Sequence, residues 1–249
     1  MTQKQQVENH GELSEKRIVV LGGSSGIGLE VAQQAAAQGA RAIIASSNAD
    51  RVKQAVATLD GKAEGHTLDL SNESDIQNFF QKVGDFDHLV FTAGDALQLN
   101  ELAATDLTKA RHAFELRFWA VLSAVKYAST HIRKGGSIVL TTGIAGERPY
   151  KGWTLAASVC GAIVSLTRAL AVELAPIRVN AVSPGVVRTN LWNNMNKQDR
   201  EALFENMGNH LLVGRVGEAC EIARAYLFLM QEGYSTGQTV VVDGGAVLI

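Results

Sequence analysis

A glycine-rich break near the start of the chain constrains the fold most. The β-branched run Ile18–Leu21 gives way to Gly22-Gly23-Ser24-Ser25-Gly26-Ile27-Gly28, and the Ala-rich segment Leu29–Gln38 follows. Glycine reaches positive φ without a Cβ clash, so it suits a tight strand-to-helix turn. The same alternation continues along the chain. Short apolar runs recur at Ala42–Ala45, Leu89–Phe91, Ile138–Leu140, Ile177–Val182 and Thr239–Val242, with a weaker one near Ala63–Leu68. Between them lie Ser74–Val83, Ala104–Ile132, Leu155–Leu174 and Glu218–Gln231, long enough for helices and mostly rich in Ala and Leu. Strands separated by helices predict βαβ units and a parallel sheet covered on both faces. The expected fold is α/β: one domain over residues 16–249, with a doubly wound parallel sheet of about seven strands.

Composition narrows the function classes. The chain of 249 residues carries 23 Lys plus Arg against 25 Asp plus Glu, a formal charge of −2. A duplex nucleic-acid binder ordinarily carries a basic excess. The cysteines, Cys160 and Cys220, have no C-x-x-C spacing, which argues against a disulfide framework or a structural metal site. No unbroken apolar run reaches the roughly 18 residues of a membrane span. Met1–Lys16 is polar and lacks the apolar core of a signal peptide. The expectation is a cytoplasmic protein with a flexible tail over residues 1–15, a small-molecule substrate, and neither nucleic acid, membrane nor metal as partner.

The glycine loop has a chemistry of its own. Glycine lets a pyrophosphate approach the backbone, and a helix start supplies unpaired N–H groups and a positive dipole end. The common dinucleotide fingerprint is G-x-G-x-x-G. Here the spacing is G-x-x-x-G-x-G, so two readings stand: a dinucleotide cradle or a plain strand–helix turn.

That spacing resembles the short-chain dehydrogenase/reductase family, and the resemblance covers nearly the whole chain. Thr92-Ala93-Gly94 ends the fourth strand where the family has Asn-Asn-Ala-Gly. Asp69 follows the third strand, where the family has an Asp near the adenine. Ile177-Arg178-Val179-Asn180-Ala181-Val182-Ser183-Pro184-Gly185 matches the family's sixth-strand segment, Thr189 sits where the family holds the nicotinamide carboxamide, and Asp243-Gly244-Gly245 closes the last strand. Leu21 replaces the usual Thr, and Phe91-Thr92 replaces Asn-Asn. The resemblance implies a Rossmann-type fold and a nicotinamide dinucleotide. The residues that would hold it are Gly22, Ser24, Ser25, Gly26, Ile27, Gly28, Ser46, Ser47, Asn48, Asp69, Leu70, Thr92, Ala93, Gly94, Pro184, Gly185, Val187 and Thr189.

The second strand ends Ala45-Ser46-Ser47-Asn48, with no carboxylate before Asp50. An acid there would bind the ribose diol of NAD. Its absence leaves room for a 2′-phosphate within reach of Arg51 and favours NADP(H) over NAD(H). The other reading of Ser46 and Ser47 is that they cap the next helix.

The family's catalytic pattern is an Asn, a Ser and a Tyr-x-x-x-Lys motif. Aligned without gaps between Gly136–Gly143 and Arg168–Leu174, the Ser position holds Gly143, the Tyr position Ala156 and the Lys position Cys160. The Asn position holds Arg117. Ala156 has no proton to transfer, and Cys160 supplies no fixed positive charge. Arg117 is then a candidate for binding an anionic group or stabilising an oxyanion, or it pairs with Glu115 or another acid. Thr142 is a candidate hydrogen-bond donor or a structural strand end. Tyr150 would have to swing in from its loop, and Lys151 beside it does not reproduce an i, i+4 face. Cys160 reads better as a packed residue than as a nucleophile. Trp153 and Tyr150 suit either an aromatic pocket or loop packing. His112 and His131, expected on the long helix, are read as exposed or packed without catalytic duty.

Residues 188–209 are polar and follow a strand end, so they form either a substrate lid or an ordinary insertion. The resemblance also implies a homo-oligomer, a dimer or tetramer, through Ala104–Ile132 and Leu155–Leu174. Two functional readings follow. One is an atypical NADP(H)-dependent oxidoreductase delivering hydride to a carbonyl, quinone, enone or imine without the Tyr/Lys relay. The alternative is a non-catalytic NADP(H)-binding sensor or inactive partner subunit.

Overall fold

The computed structural model describes residues 13–59, 61–95 and 99–249. In chain order the elements are β1 (Arg17–Leu21), α1 (Gly26–Ala37), β2 (Arg41–Ser46), α2 (Ala49–Ala57), β3 (Ala63–Thr67), α3 (Glu73–Val83) and β4 (Phe86–Phe91). Then come α4 (Leu107–Phe114), a π turn (Glu115–Trp119), α5 (Ala120–Ala128), β5 (Ile132–Thr141), α6 (Thr154–Glu173) and β6 (Arg178–Pro184). The chain closes with β7 (Val187–Arg188), α7 (Lys197–His210), β8 (Gly217–Glu218), α8 (Ala219–Gln231) and β9 (Thr239–Val242).

Seven strands form one parallel sheet in the order β3-β2-β1-β4-β5-β6-β9. The chain starts at the middle of the sheet, runs out to β3, and returns past β1 to β4. Strand order therefore reverses between β1 and β4, and ligand clefts of such sheets open at that point, beyond the carboxyl ends of the strands. One face buries Ile76, Phe79 and Phe80 of α3, Ala124 of α5 and Ile163 of α6 against Leu89, Ile138 and Val179. The other buries Val31 and Ala35 of α1, Ala55 of α2 and Tyr226 of α8 against Ile18, Val20, Val90 and Val139.

The expected doubly wound Rossmann-type architecture is what the chain adopts, and its departures have local causes. β3 reads weakly in sequence because it is an edge strand whose side chains are largely exposed. The expected helix 104–132 is broken by the π turn and ends at Ala128, so His131 lies beyond it, with Nδ1 3.7 Å from the Asp85 carboxylate. Residues 1–12 of the expected tail lie outside the described residues. Leu13, the apolar residue next in sequence, is buried in the core beside α1 and β2. Although no unbroken apolar run of span length exists, α6 is long and apolar enough to cross a membrane by composition. It lies on the sheet instead, burying Ala156, Val159, Ile163, Thr167, Leu170 and Ala171.

Candidate functional site

A cleft of about 580 Å³ opens at the carboxyl ends of β1, β2, β4, β5 and β6. Its walls at one end are backbone. Gly22 takes φ +88°, and a Cβ there would sit 2.5 Å from the Ala93 nitrogen. A Cβ on Gly28 would fall 2.5 Å from the Gly22 carbonyl and against the Thr92 hydroxyl. The glycine loop is thus pressed directly onto the end of β4. Gly26, at φ +53°, faces Thr189 across the cleft.

The first turn of α1 is left open. Ser25 makes no side-chain cap, and no acidic residue lies in that turn. By contrast Asn48, Asn72, Asp106 and Asn196 cap α2, α3, α4 and α7 through their side chains. Open N–H groups at a helix start, with glycine in front of them, suit a diphosphate. The residues present therefore fit the pyrophosphate of a dinucleotide.

Ser46, Ser47, Arg51, Asp69, Leu70 and Ser71 line the next part of the cleft. Asp69 accepts from the Ser71 hydroxyl at 2.7 Å and from its N–H at 2.9 Å, and these bonds hold the carboxyl below its ordinary pKa. Asn48 is absent from this lining. Its side chain accepts from the Arg51 N–H at 2.9 Å as the cap of α2. That assignment also removes Ser46 and Ser47 from capping duty, leaving them on the cleft wall.

The rest of the cleft mixes backbone with side chains. Thr92, Ala93, Gly94, Asp95, His112, Leu116, Arg117, Thr142, Gly143, Trp153, Ala156, Cys160, Pro184, Gly185, Val187 and Thr189 all line it. The π turn adds a residue to one helical turn, which rotates the outgoing face by about 100°. Arg117 lies within that turn, and its guanidinium lies over Gly94, 2.9 Å from where a Cβ would be. It donates to the Asp95 backbone carbonyl rather than pairing with Glu115. Burial lowers its pKa from the ordinary arginine value, while Cys160 and Asp95 oppose the shift. An arginine remains charged at neutral pH regardless.

Thr142 donates to the Cys160 carbonyl at 2.9 Å. Burial raises the Cys160 thiol pKa, opposed by its contacts with Thr142, Arg117 and Gly146. The Sγ lies 3.4 Å from where a Cβ on Gly143 would be. Of the three catalytic candidates, the structure brings Arg117 and Thr142 to the cleft and leaves Tyr150 out. The Tyr150 ring packs edge-on to Trp153, with centroids 5.0 Å apart, because the turn before α6 directs it to the surface.

Asn190, Leu191, Trp192 and Asn194 of the expected lid segment line the cleft, as do Asp95 and Ser71, for which no role was expected, and His112, which was expected to have no catalytic duty. Asp95 was detectable as the residue directly after the Thr92–Gly94 motif. His112 was not, because its approach to the cleft depends on how α4 enters the π turn.

A family model described as enoyl-(acyl carrier protein) reductase matches residues 22–247. Short-chain dehydrogenase/reductase ATR9 of Stachybotrys chlorohalonatus is 38% identical over 248 residues, covering 93% of this chain and 96% of that one. The chain belongs to the short-chain dehydrogenase/reductase family. A solved small-chain dehydrogenase in complex with NADPH superposes on this family member with a TM-score of 0.85 at 38% identity, covering 95% of this chain and all (100%) of that one. The MalC reductase/Diels-Alderase from Malbranchea aurantiaca gives a TM-score of 0.90 at 29% identity, covering 97% and 100%.

Proposed function

We propose that this short-chain dehydrogenase/reductase is an NADP(H)-dependent oxidoreductase in which the Arg117 charge stands in for the usual Tyr/Lys relay. One observation carries the reading: an open dinucleotide cradle and a half-buried guanidinium share one cleft. The bound cofactor would supply or accept a hydride at its nicotinamide ring.

The chain's residues have separable tasks. The glycine loop and the start of α1 bind the diphosphate. Ser47 and Arg51 take the 2′-phosphate, since no carboxylate at the end of β2 repels it. The NADPH complex of a 38%-identical neighbour supports this preference. Thr189 holds the carboxamide, as in the family pattern. Arg117 meets negative charge as it develops on a substrate heteroatom, which is worth most in a site that excludes water. Gly143 and Ala156 leave open the volume that larger side chains would fill, beside Trp153, Leu116 and Leu191. Such a space suits a ring-bearing ketone, quinone, enone or imine.

The segment 188–209 acts as a lid in this reading. It is anchored by Arg188, which pairs with Glu201 at 2.6 Å and lies over the Phe204 ring. A dimer or tetramer fits α6, of whose most apolar stretch only 33% is buried within the chain. A second reading, a non-catalytic NADP(H) sensor or inactive partner subunit, draws on Gly143, Ala156 and Cys160 together, none of which is a neutral-pH acid.

Calorimetry followed by turnover separates the two. NADPH is expected to bind at least about tenfold tighter than NADH, a difference near 1.4 kcal/mol. NADPH is then expected to be oxidised by at least one of menadione, cyclohexenone and 1-pyrroline. Tight NADPH binding with no turnover would transfer the protein to the second reading. No binding of either nucleotide would end both.

A further inference from the structure

Resting on the oxidoreductase reading, we propose that His112, positioned by Asp95, is the proton donor of this cleft. The groups that could fill that role are few. Among the described residues, the ionisable side chains lining the cleft are Arg51 and Asp69 at the adenosine end, and Asp95, His112, Arg117 and Cys160 at the other. Arginine does not give up its proton in proteins. Burial pushes the Cys160 thiol further from acidity at neutral pH. Tyr150 is not in the lining, and its neighbour Lys151 is tied to Glu101 at 2.7 Å. His112 and Asp95 remain.

Their geometry supports a working pair. The His112 Nε2 lies 3.8 Å from the Asp95 carboxylate. A protonated imidazole can give up a proton and take one back from water. Asp95 serves the site twice: its backbone carbonyl accepts from Arg117, and its carboxylate faces His112. One residue of the loop after β4 thereby links the fixed charge to the imidazole. The His112 side chain is 70% exposed, which leaves it open to reprotonation by solvent. The charged group facing it is Asp95 from the loop after β4; Arg117 of the π turn and Cys160 of α6 line the same cleft. Lys109, Arg111 and Glu115 flank it on its own helical segment.

For a ketone or enone the step balances. As hydride adds to the electrophilic carbon, the π electrons move to oxygen and NADPH becomes NADP⁺. Arg117 stabilises the oxygen charge without giving up a proton. The oxygen, or the α-carbon of the enolate in the enone case, takes the proton from the His112 imidazolium. The neutral imidazole then regains one from water.

The test is a pH–rate profile with NADPH and the best acceptor among cyclohexenone, menadione and 1-pyrroline. Wild-type kcat should fall as pH rises, as a rate that depends on a protonated donor does. His112→Gln should lower kcat at least tenfold and flatten that fall, with NADPH affinity unchanged. Loss of a general acid commonly costs about 10²–10⁴-fold. In His112→Ala, free imidazole should restore part of the rate, which a merely structural role would not allow. Asp95→Asn should lose rate while keeping some pH dependence. A His112→Gln variant with the wild-type rate and profile overturns the relay and assigns the proton to water, leaving the oxidoreductase reading intact. A wild-type protein that binds NADPH yet reduces none of the acceptors overturns both.

Discussion

At the amino ends of the strands, Asp87 accepts from the Arg17 N–H at 2.9 Å, from Lys16 at 3.3 Å and from Arg133 at 3.1 Å. Beside it the buried His88 ring meets the Ser137 hydroxyl at 2.9 Å, and Arg178 donates to the Leu229 and Met230 carbonyls. At the carboxyl ends Asp69 and Thr142 are likewise paired, but two features stand open to the cleft. The start of α1 has no side-chain cap, and Arg117 spends its charge on one backbone carbonyl. Polar groups paired within the fold contribute to stability, whereas groups left open at a cleft are available to a ligand. The contrast places stability at one end of the sheet and, in the proposed reading, binding at the other.

Acid sharpens this division most. Burial pushes the His88 pKa down to about 4, with Asp87 opposing the shift and Arg178 and Lys16 adding to it. The unfolded chain binds a proton there near pH 6.5 and the folded chain does not, so unfolding takes up a proton between those values. Stability is fully present above about pH 6.5 and falls as pH drops towards 4, by about 3 kcal/mol in all. His66, whose pKa burial also lowers, adds to the upper part of that slope. Denaturant titrations at several pH values should show the slope, and His88→Gln should remove most of it. An unchanged slope in that variant would mean that His88 is not the group responsible.

A smaller effect is expected at Asp87. Burial alone would raise its pKa, but the Arg17 N–H and the Lys16 and Arg133 cations outweigh that and hold it low. Asp87→Asn should destabilise the fold by about 2 kcal/mol, as hydrogen bonds to a charged acceptor are lost. NADPH affinity in the folded variant should stay within about twofold. A loss of NADPH affinity larger than that would break the separation of the two ends.

The two ends also differ in how legible they were in the sequence. The nucleotide end is backbone chemistry, and glycines at set spacing after a β-branched run report it directly. Gly22 and Gly28 are required by contacts with Ala93, Thr92 and the loop itself, which the spacing encodes. The substrate end depends on side-chain direction. Arg117 and Thr142 were found by position, but Asn48 turned to capping α2 and Tyr150 packed on Trp153. Those outcomes depend on which local partner wins, and the spacing of residues along the chain does not specify it. The π turn behaves similarly: Ala104–Ile132 reads as continuous helix, and Glu115–Trp119 holds no Gly or Pro to announce the break.

The most direct test of the central claim is the rate of Arg117→Leu with NADPH and the best acceptor. In the proposed reading the guanidinium acts on developing charge, so kcat should fall by about 10²–10³-fold, near 3–4 kcal/mol of transition-state stabilisation. Thermal stability and NADPH affinity should remain close to wild type, and Arg117→Lys should recover part of the rate. An Arg117→Leu enzyme with wild-type kcat, or one that loses rate only because it no longer binds NADPH, would contradict the account.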